Sequence, residues 1–386
     1  MKLIRITTVP ISLKVLLKGQ LRFMSRSGFE VVGISADGKE LKAVEHDEDI
    51  RTIAVEMTRT ISPLKDLKAV WMLYKIFKIE KPSIVHTHTP KAGIVGMVAS
   101  WFARVPIRIH TVAGLPLMEA SGYKRILLNF VERLTYFCAT NIYPNSKGLH
   151  SFILNNKLTQ SKKLKVIGEG SSNGIDTSHF SPDQISKKQK ELLKQELKID
   201  NFVFIFIGRV VKDKGINELI KAFLQINENQ NEGSRAKLLI VGDFESTLDP
   251  VLPETEAEVR NNPDIIFVGY QSDVRPYLSV SHCLAFPSYR EGFPNVVMQA
   301  GAMGIPAIVT NINGCNEIII EDKNGIIIPP KNVVELKRAM THIMNDRGYY
   351  LSLKKNARHM ITKRYEQRAV WETLLAEYKR LLQGKK

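Results

Sequence analysis

Glu291 is the single carboxylate in the stretch Ser288–Gly304, SYREGFPNVVMQAGAMG, where it stands beside Gly292 and ahead of Pro294. The apolar run before it, His282–Pro287, reads as a buried strand. From Pro294 a helix-compatible pattern begins, with proline in the first turn where its missing N–H costs nothing. A strand, a glycine-containing loop and a helix start form a corner with free backbone N–H groups and a positive helix dipole. Such a corner receives an anion or a hydroxyl-rich ligand, and Glu291 puts one acceptor carboxylate at its mouth. That chemistry suits a sugar nucleotide.

A second loop fits the same ligand. Gly208–Gly215, GRVVKDKG, follows the strand-like run Val203–Ile207. Gly208 permits a sharp turn. Arg209 and Lys214 are spaced to reach a diphosphate from one loop, Arg through a fork of donors and Lys as a point charge. A solvated surface turn is the bland alternative. It weakens when both loops leave the carboxyl edge of one sheet.

The elements that must position these residues alternate along the chain. Strands are expected at Leu3–Thr8, Glu30–Ser35, Thr52–Val55, Ile84–Thr87, Ile107–Val112, Asn141–Tyr143 and Leu164–Ile167. Helical patterns lie at about Lys14–Arg26, Leu64–Ile79, Ala92–Ala103, Lys124–Ala139 and Ser146–Asn155. After the loop Gly168–Asp176 and a lysine-rich segment, strands restart at Val203–Ile207, Leu238–Val241, Ile265–Val268, His282–Phe286, Ala307–Thr310 and Gly325–Ile328, and the end of the chain is helical. The alternation predicts an α/β protein of two doubly wound Rossmann-like domains with a ligand cleft between them. The expected division is 1–178 for an amino-terminal domain and 179–365 for a nucleotide-sugar-binding domain. A helix at 366–386 is expected to cross back to the first.

Length and composition agree with this division. The 386 residues suffice for two domains of ordinary size. The longest apolar run, Gly93–Ala103, is about half of a membrane span. Met1 leads straight into a strand-like run without a secretory leader, so a cytoplasmic location is expected. Three dispersed cysteines offer neither a disulfide framework nor a zinc site. The net charge of +16 is uneven: residues 1–180 hold 26 Lys+Arg and 14 Asp+Glu, the remainder 29 and 25. The basic first half implies an anionic partner there. One basic, aromatic helix, with Lys65, Lys68, Trp71, Tyr74, Lys75, Phe77 and Lys78, reads either as a helix packed on the sheet or as one that touches a membrane face.

With both loops in view, the chain resembles the retaining family 4 glycosyltransferases of GT-B fold. Besides GRVVKDKG and EGFPNVVMQAGAMG, the segments VHTHTPKAG (Val85–Gly93), PNSKGL (Pro144–Leu149), SSNGID (Ser171–Asp176) and GCNEII (Gly314–Ile319) match in order. The resemblance covers nearly the whole chain and is strongest to bacterial enzymes of capsule, O-antigen and lipid-linked oligosaccharide assembly. It implies that Arg209 and Lys214 hold the donor diphosphate and that Glu291 contacts the donor sugar. Gly292, Phe293 and Pro294 would lie against sugar and phosphate through their backbone. His110 would approach the donor sugar from the first domain. His86 and His88 read as structural residues at a strand end.

Two positions depart from the family pattern. The second glutamate of its Glu-x7-Glu motif is Gln299 here. That residue would hold the nucleotide ribose, and one amide carbonyl cannot accept from both ribose hydroxyls as a carboxylate does. The loss of one charged hydrogen bond costs about 1.5–3 kcal/mol. The first-domain loop, usually Gly-Gly, is Lys18-Gly19-Gln20, so a donor-phosphate contact from it is doubtful. Asp47-Glu48-Asp49 spells a metal motif of another fold but precedes a strand, and is expected to be a solvated loop. Gly168-Glu169-Gly170 lacks the third glycine of a dinucleotide fingerprint.

The expected activity is therefore metal-independent transfer of a sugar from a UDP-sugar, without a cofactor, to an undecaprenyl-diphosphate-linked or other saccharide acceptor at the inner membrane face. No carboxylate pair of the retaining-hydrolase type is evident. Same-face attack is favoured, with the diphosphate taking the acceptor's proton. A sugar-nucleotide epimerase or hydrolase of the same architecture would turn over without acceptor. A non-enzymatic basic protein binding nucleic acid or membrane would show salt-sensitive polyanion binding and no nucleotide affinity.

Overall fold

A computed structural model describes residues 1–58, 62–118, 120–228, 230–231, 235–245, 247 and 249–384. The first stretch runs β1 (Lys2–Ile6), α1 (Pro10–Leu16), α2 (Gln20–Arg26), β2 (Glu30–Ser35), α3 (Lys39–Glu48), β3 (Arg51–Ala54), α4 (Pro63–Glu80), β4 (Ile84–His88), α5 (Pro90–Phe102), β5 (Ile107–Val112), α6 (Gly122–Cys138), β6 (Asn141–Pro144) and α7 (Lys147–Asn155). The second runs α8 (Lys187–Glu196), β7 (Val203–Ile207), α9 (Ile216–Asn227), β8 (Lys237–Val241), α10 (Pro253–Asn261), β9 (Ile265–Phe267), α11 (Arg275–Ser279), β10 (Cys283–Phe286), α12 (Asn295–Ala302), β11 (Ala307–Thr310), α13 (Cys315–Ile318), β12 (Gly325–Ile328), α14 (Val333–Asn345), α15 (Arg347–Tyr365) and α16 (Gln367–Gln383).

The chain divides into two compact units, Met1–Gly174 with Gln367–Lys386, and Ile175–Glu366. Each holds one six-stranded parallel sheet, in the orders β3-β2-β1-β4-β5-β6 and β12-β11-β10-β7-β8-β9. Short β-branched runs such as Val203–Ile207 are apolar throughout because a parallel sheet is covered on both faces.

In unit 1 one face of the sheet packs Ala69, Leu73 and Phe77 of α4 and the buried side of α5. The i, i+4, i+8 spacing of the three α4 residues makes one buried stripe. The other face packs α1 to α3 together with Leu374 and Tyr378 of α16. The last helix thus completes the amino-terminal unit. Glu377 fastens it by accepting from Tyr143 Oη (3.0 Å), Lys165 Nζ (2.6 Å) and Arg380.

Three expectations are corrected. Lys14–Arg26 is two helices, interrupted at Leu17–Gly19, where Gly19 takes φ 77°. Leu164–Ile167 is not a strand; Leu164 makes one isolated bridge to Ile142. Asp47-Glu48-Asp49 is not a solvated loop. Asp47 and Glu48 end α3, and the Glu48 carboxylate is buried, accepting from Gly19 N (2.6 Å) and Arg22 N (3.0 Å). A side chain from one helix end thus caps the start of α2, where backbone N–H groups lack intrahelical partners.

Candidate active site

Strands β7 and β10 are parallel neighbours, with Cys283 opposite Phe204 and Leu284 opposite Ile205. The order of their sheet reverses here: β8 and β9 lie beyond β7, β11 and β12 beyond β10. Connections leaving two such strands diverge to opposite faces, and ligands of doubly wound sheets bind at this switch point. The segments leaving the two carboxyl ends are Gly208–Gly215 and Pro287–Pro294.

Their approach is fixed by glycine and by the main chain. Gly215 has φ 71°, and a Cβ there would overlap the Pro287 carbonyl, so glycine alone lets the loops come this close. Tyr289 N donates to the Asp213 carbonyl at 2.8 Å. Arg290 Nε donates to the Asp213 carboxylate at 2.8 Å. The result is an ion pair between Lys214 Nζ and Glu291 Oε1. Ser288 Oγ also donates to Glu291 Oε1, at 2.9 Å. The paired side chains keep 20% and 15% exposure, enough for a ligand to touch them and little enough to strengthen their field.

The next residues are braced from the β11 side. Asn313 Nδ2 donates to the Gly292 carbonyl at 2.6 Å. Gly314, at φ 76°, lies so close that a Cβ would strike the same carbonyl. Pro294 precedes α12 in an extended conformation with no side-chain cap; Val297 N turns back to the Pro294 carbonyl (3.3 Å), which leaves the Asn295 and Val296 amides for a ligand. Arg209 shares the loop of Lys214 but points to Glu245, beyond β8, with which it is ion-paired; its side chain is 62% exposed. Gln299 is the fifth residue of α12 and half-buried.

Glu291, Lys214 and the Gly292-Phe293-Pro294 backbone, named from the sequence, thus lie in one place, while Arg209 is turned to the half-buried Glu245. Sequence reasoning misses Ser288, Asn313 and Glu245. Ser288 and Asn313 stand next to named motifs and carry donors aimed at the loop. Glu245 is distant in sequence from Arg209 and has no local signal. Among the described residues no three His, Cys, Asp or Glu side chains converge as metal ligands.

His86, His88 and His110 lie in the interior of unit 1. His110, expected to meet the donor sugar, is 3% exposed, and its Nδ1 bonds Thr87 Oγ1 at 2.8 Å. Its ring fills the space left by Gly93 of α5. Burial pushes the imidazole down to about 4, so it is neutral. In this structure the ring is therefore enclosed between β4, β5 and α5. His86 bonds Thr111 Oγ1 (2.7 Å) and Tyr378 Oη (2.5 Å). His88 Nε2 faces the fully buried Arg5 guanidinium at 2.8 Å, and burial, then Arg5, holds it well below its usual range. The Lys18-Gly19-Gln20 loop is likewise occupied: Glu48 takes the amide of Gly19, and Gln20 lies between Arg5 Nη2 (2.5 Å) and Asn173 Oδ1 (3.0 Å).

Comparison with known proteins matches each of the two units. The model for "Glycosyl transferases group 1" matches residues 185–360, and that for "Glycosyl transferase 4-like domain" matches 17–170. The capsular polysaccharide biosynthesis glycosyltransferase CapM of Staphylococcus aureus is 33% identical over 383 residues, 99% of this chain and 97% of that one. The chain belongs to the group 1 glycosyltransferases. A further relative of this glycosyltransferase is the UDP-Gal:alpha-D-GlcNAc-diphosphoundecaprenol alpha-1,3-galactosyltransferase of Escherichia coli, 29% identical over 82% of this chain and 80% of that one. Anabaena HepE, solved in complex with UDP, superposes with a TM-score of 0.82 at 19% identity, covering 98% of this chain and 100% of its own. The glycosyltransferase thus has the GT-B fold, two parallel α/β units of the kind described above.

Proposed function

We propose that this glycosyltransferase moves a sugar from a UDP-sugar, with retention and without a metal, to a saccharide linked to undecaprenyl diphosphate. The observation that carries the reading is the Lys214–Glu291 pair at the β7/β10 switch point. It brings a phosphate-binding cation and a hydroxyl-binding carboxylate within one ion-pair distance, as an anomeric carbon bonded to a diphosphate requires.

Breaking the anomeric C–O bond leaves positive charge on the sugar and negative charge on the departing UDP. Lys214 stabilises the leaving diphosphate from one side, the first-turn amides of α12 from another. Arg209 joins them on release from Glu245. Glu291 accepts from sugar hydroxyls and orients the ring, while Ser288 holds that carboxylate in place. The acceptor oxygen attacks from the face the diphosphate leaves, and a diphosphate oxygen takes its proton. No carboxylate nucleophile is used, since Glu291 is engaged by Lys214 and Ser288. Gln299 holds the ribose through its amide.

UDP is favoured as the nucleotide because HepE binds it on the same fold and the Escherichia coli relative is named for a UDP-sugar. The lipid-linked acceptor rests on that relative's name as well. The test is UDP release from a panel of UDP- and GDP-sugars, with and without membrane extract carrying lipid-linked acceptors. Release from one UDP-sugar that rises sharply with extract is the expected result. Acceptor-independent turnover would transfer the assignment to an epimerase or hydrolase.

A further inference from the structure

The outer side of α6 is apolar where a surface helix is normally polar. Tyr123, Ile126, Phe130 and Phe137 are 80%, 68%, 64% and 65% exposed. At 100° per residue these four fall within about 60° of one another, so they form one stripe. The buried residues of the same helix are Glu132, Thr135, Tyr136 and Cys138, a more polar set than the exposed one. Folding of unit 1 alone gives no reason for this inversion.

The stripe continues onto the neighbouring helices. Trp101, at the end of α5, lies 6.2 Å from Phe137 and 5.0 Å from Phe102 between ring centroids. Phe102 in turn lines an open apolar depression with Leu67, Trp71 and Tyr74 of α4. The patch thus runs from α6 across the end of α5 to α4. A contiguous exposed apolar surface of this kind marks an interaction site.

Its charge identifies the partner. Lys65, Lys68, Lys75 and Lys78 of α4, Arg104 after α5, and Lys124 and Arg133 of α6 are exposed. Lys75 Nζ sits 4.7 Å from the centre of the Trp71 ring. The carboxylates of these helices are withdrawn: Asp66 is paired with Lys91, Glu80 with Lys2 and Arg51, and Glu132 is buried. An aromatic and aliphatic face flanked by lysine and arginine, with no free acid on its three helices, complements an anionic bilayer surface. A second copy docking here by twofold symmetry would set the same cations against one another.

We propose that the α4–α5–α6 face of unit 1 docks on an anionic lipid bilayer, with the α6 stripe and Trp71 entering the acyl boundary and the α4 lysines meeting lipid phosphates. The proposal deepens the reading of a lipid-linked acceptor but is tested without sugar transfer. The full chain is floated with vesicles of phosphatidylcholine alone and with vesicles that also contain phosphatidylglycerol, at about 0.1 M salt. Flotation with the anionic vesicles only, weakened by added salt, is expected. I126S/F130S and K68E/K75E should each lower partitioning by about tenfold or more. UDP binding, a property assigned to unit 2, and the melting midpoint serve as controls and should not move. Equal binding to both vesicles, or binding that neither variant weakens, overturns the proposal. So does a concentration-dependent dimer that I126S/F130S abolishes while vesicles are ignored, which would assign the face to a second copy. Vesicle binding without UDP binding would instead leave this face standing and remove the transferase reading.

Discussion

Lys214 and Glu291, 77 residues apart, form an ion pair where the loops after β7 and β10 meet. Each fixes the other's side chain before a donor arrives. Glu291→Ala would therefore remove the sugar contact we propose for it and also release Lys214 from its partner. We expect transfer to fall below detection with the fold intact, as UDP release and circular dichroism will show. Lys214→Ala should lower turnover by about 10²–10³-fold, the usual effect of removing one donor aimed at developing charge.

Gln299 stands where the resemblance implies a second glutamate and, in our proposal, holds the ribose. Gln299→Glu should tighten UDP binding by about 10- to 100-fold, the equivalent of about 1.5–3 kcal/mol for a hydrogen bond to a charged group. Titration calorimetry reads this directly. An unchanged affinity would place the ribose elsewhere.

Burial lowers the imidazole of His110 from 6.5 to about 4, and those of His86 and His88 fall well below 6.5. A folded-state value below the unfolded one means that the unfolded chain binds protons first. The stability from these neutral rings is complete above pH 6.5 and is lost as pH falls toward 4 and below. The melting midpoint of the intact chain should drop across that window in calorimetry. His110→Gln should flatten the drop, though it lowers the midpoint at pH 7.

Glu48 caps α2 from the end of α3 through two backbone hydrogen bonds. Glu48→Ala leaves both amides without their acceptor. A cost of about 1–2 kcal/mol is expected, the range for loss of a strong helix cap. Urea unfolding should record it as a lower midpoint at unchanged slope.

Much of this molecule is decided locally. Both sheets, and the strands Glu30–Ser35, Ile107–Val112, Val203–Ile207, Ala307–Thr310 and Gly325–Ile328 to the residue, follow from β-branched runs between helical periods. Gly208, Gly215, Lys214, Glu291 and Pro294 are legible because strand-loop-helix corners need those residue types in that order. Local sequence does not carry pairing between distant segments. Nothing near Glu48 says that it caps a helix begun at Gln20, and nothing near Arg209 names Glu245. The resemblance sets His110 toward the donor sugar; in the structure α5 closes over it, and desolvation decides its charge. The outward stripe of α6 has the periodicity of a core face. Only the packed unit shows which of its sides the sheet took and which was left to water, because burial depends on what lies opposite a residue and not on its neighbours in the chain.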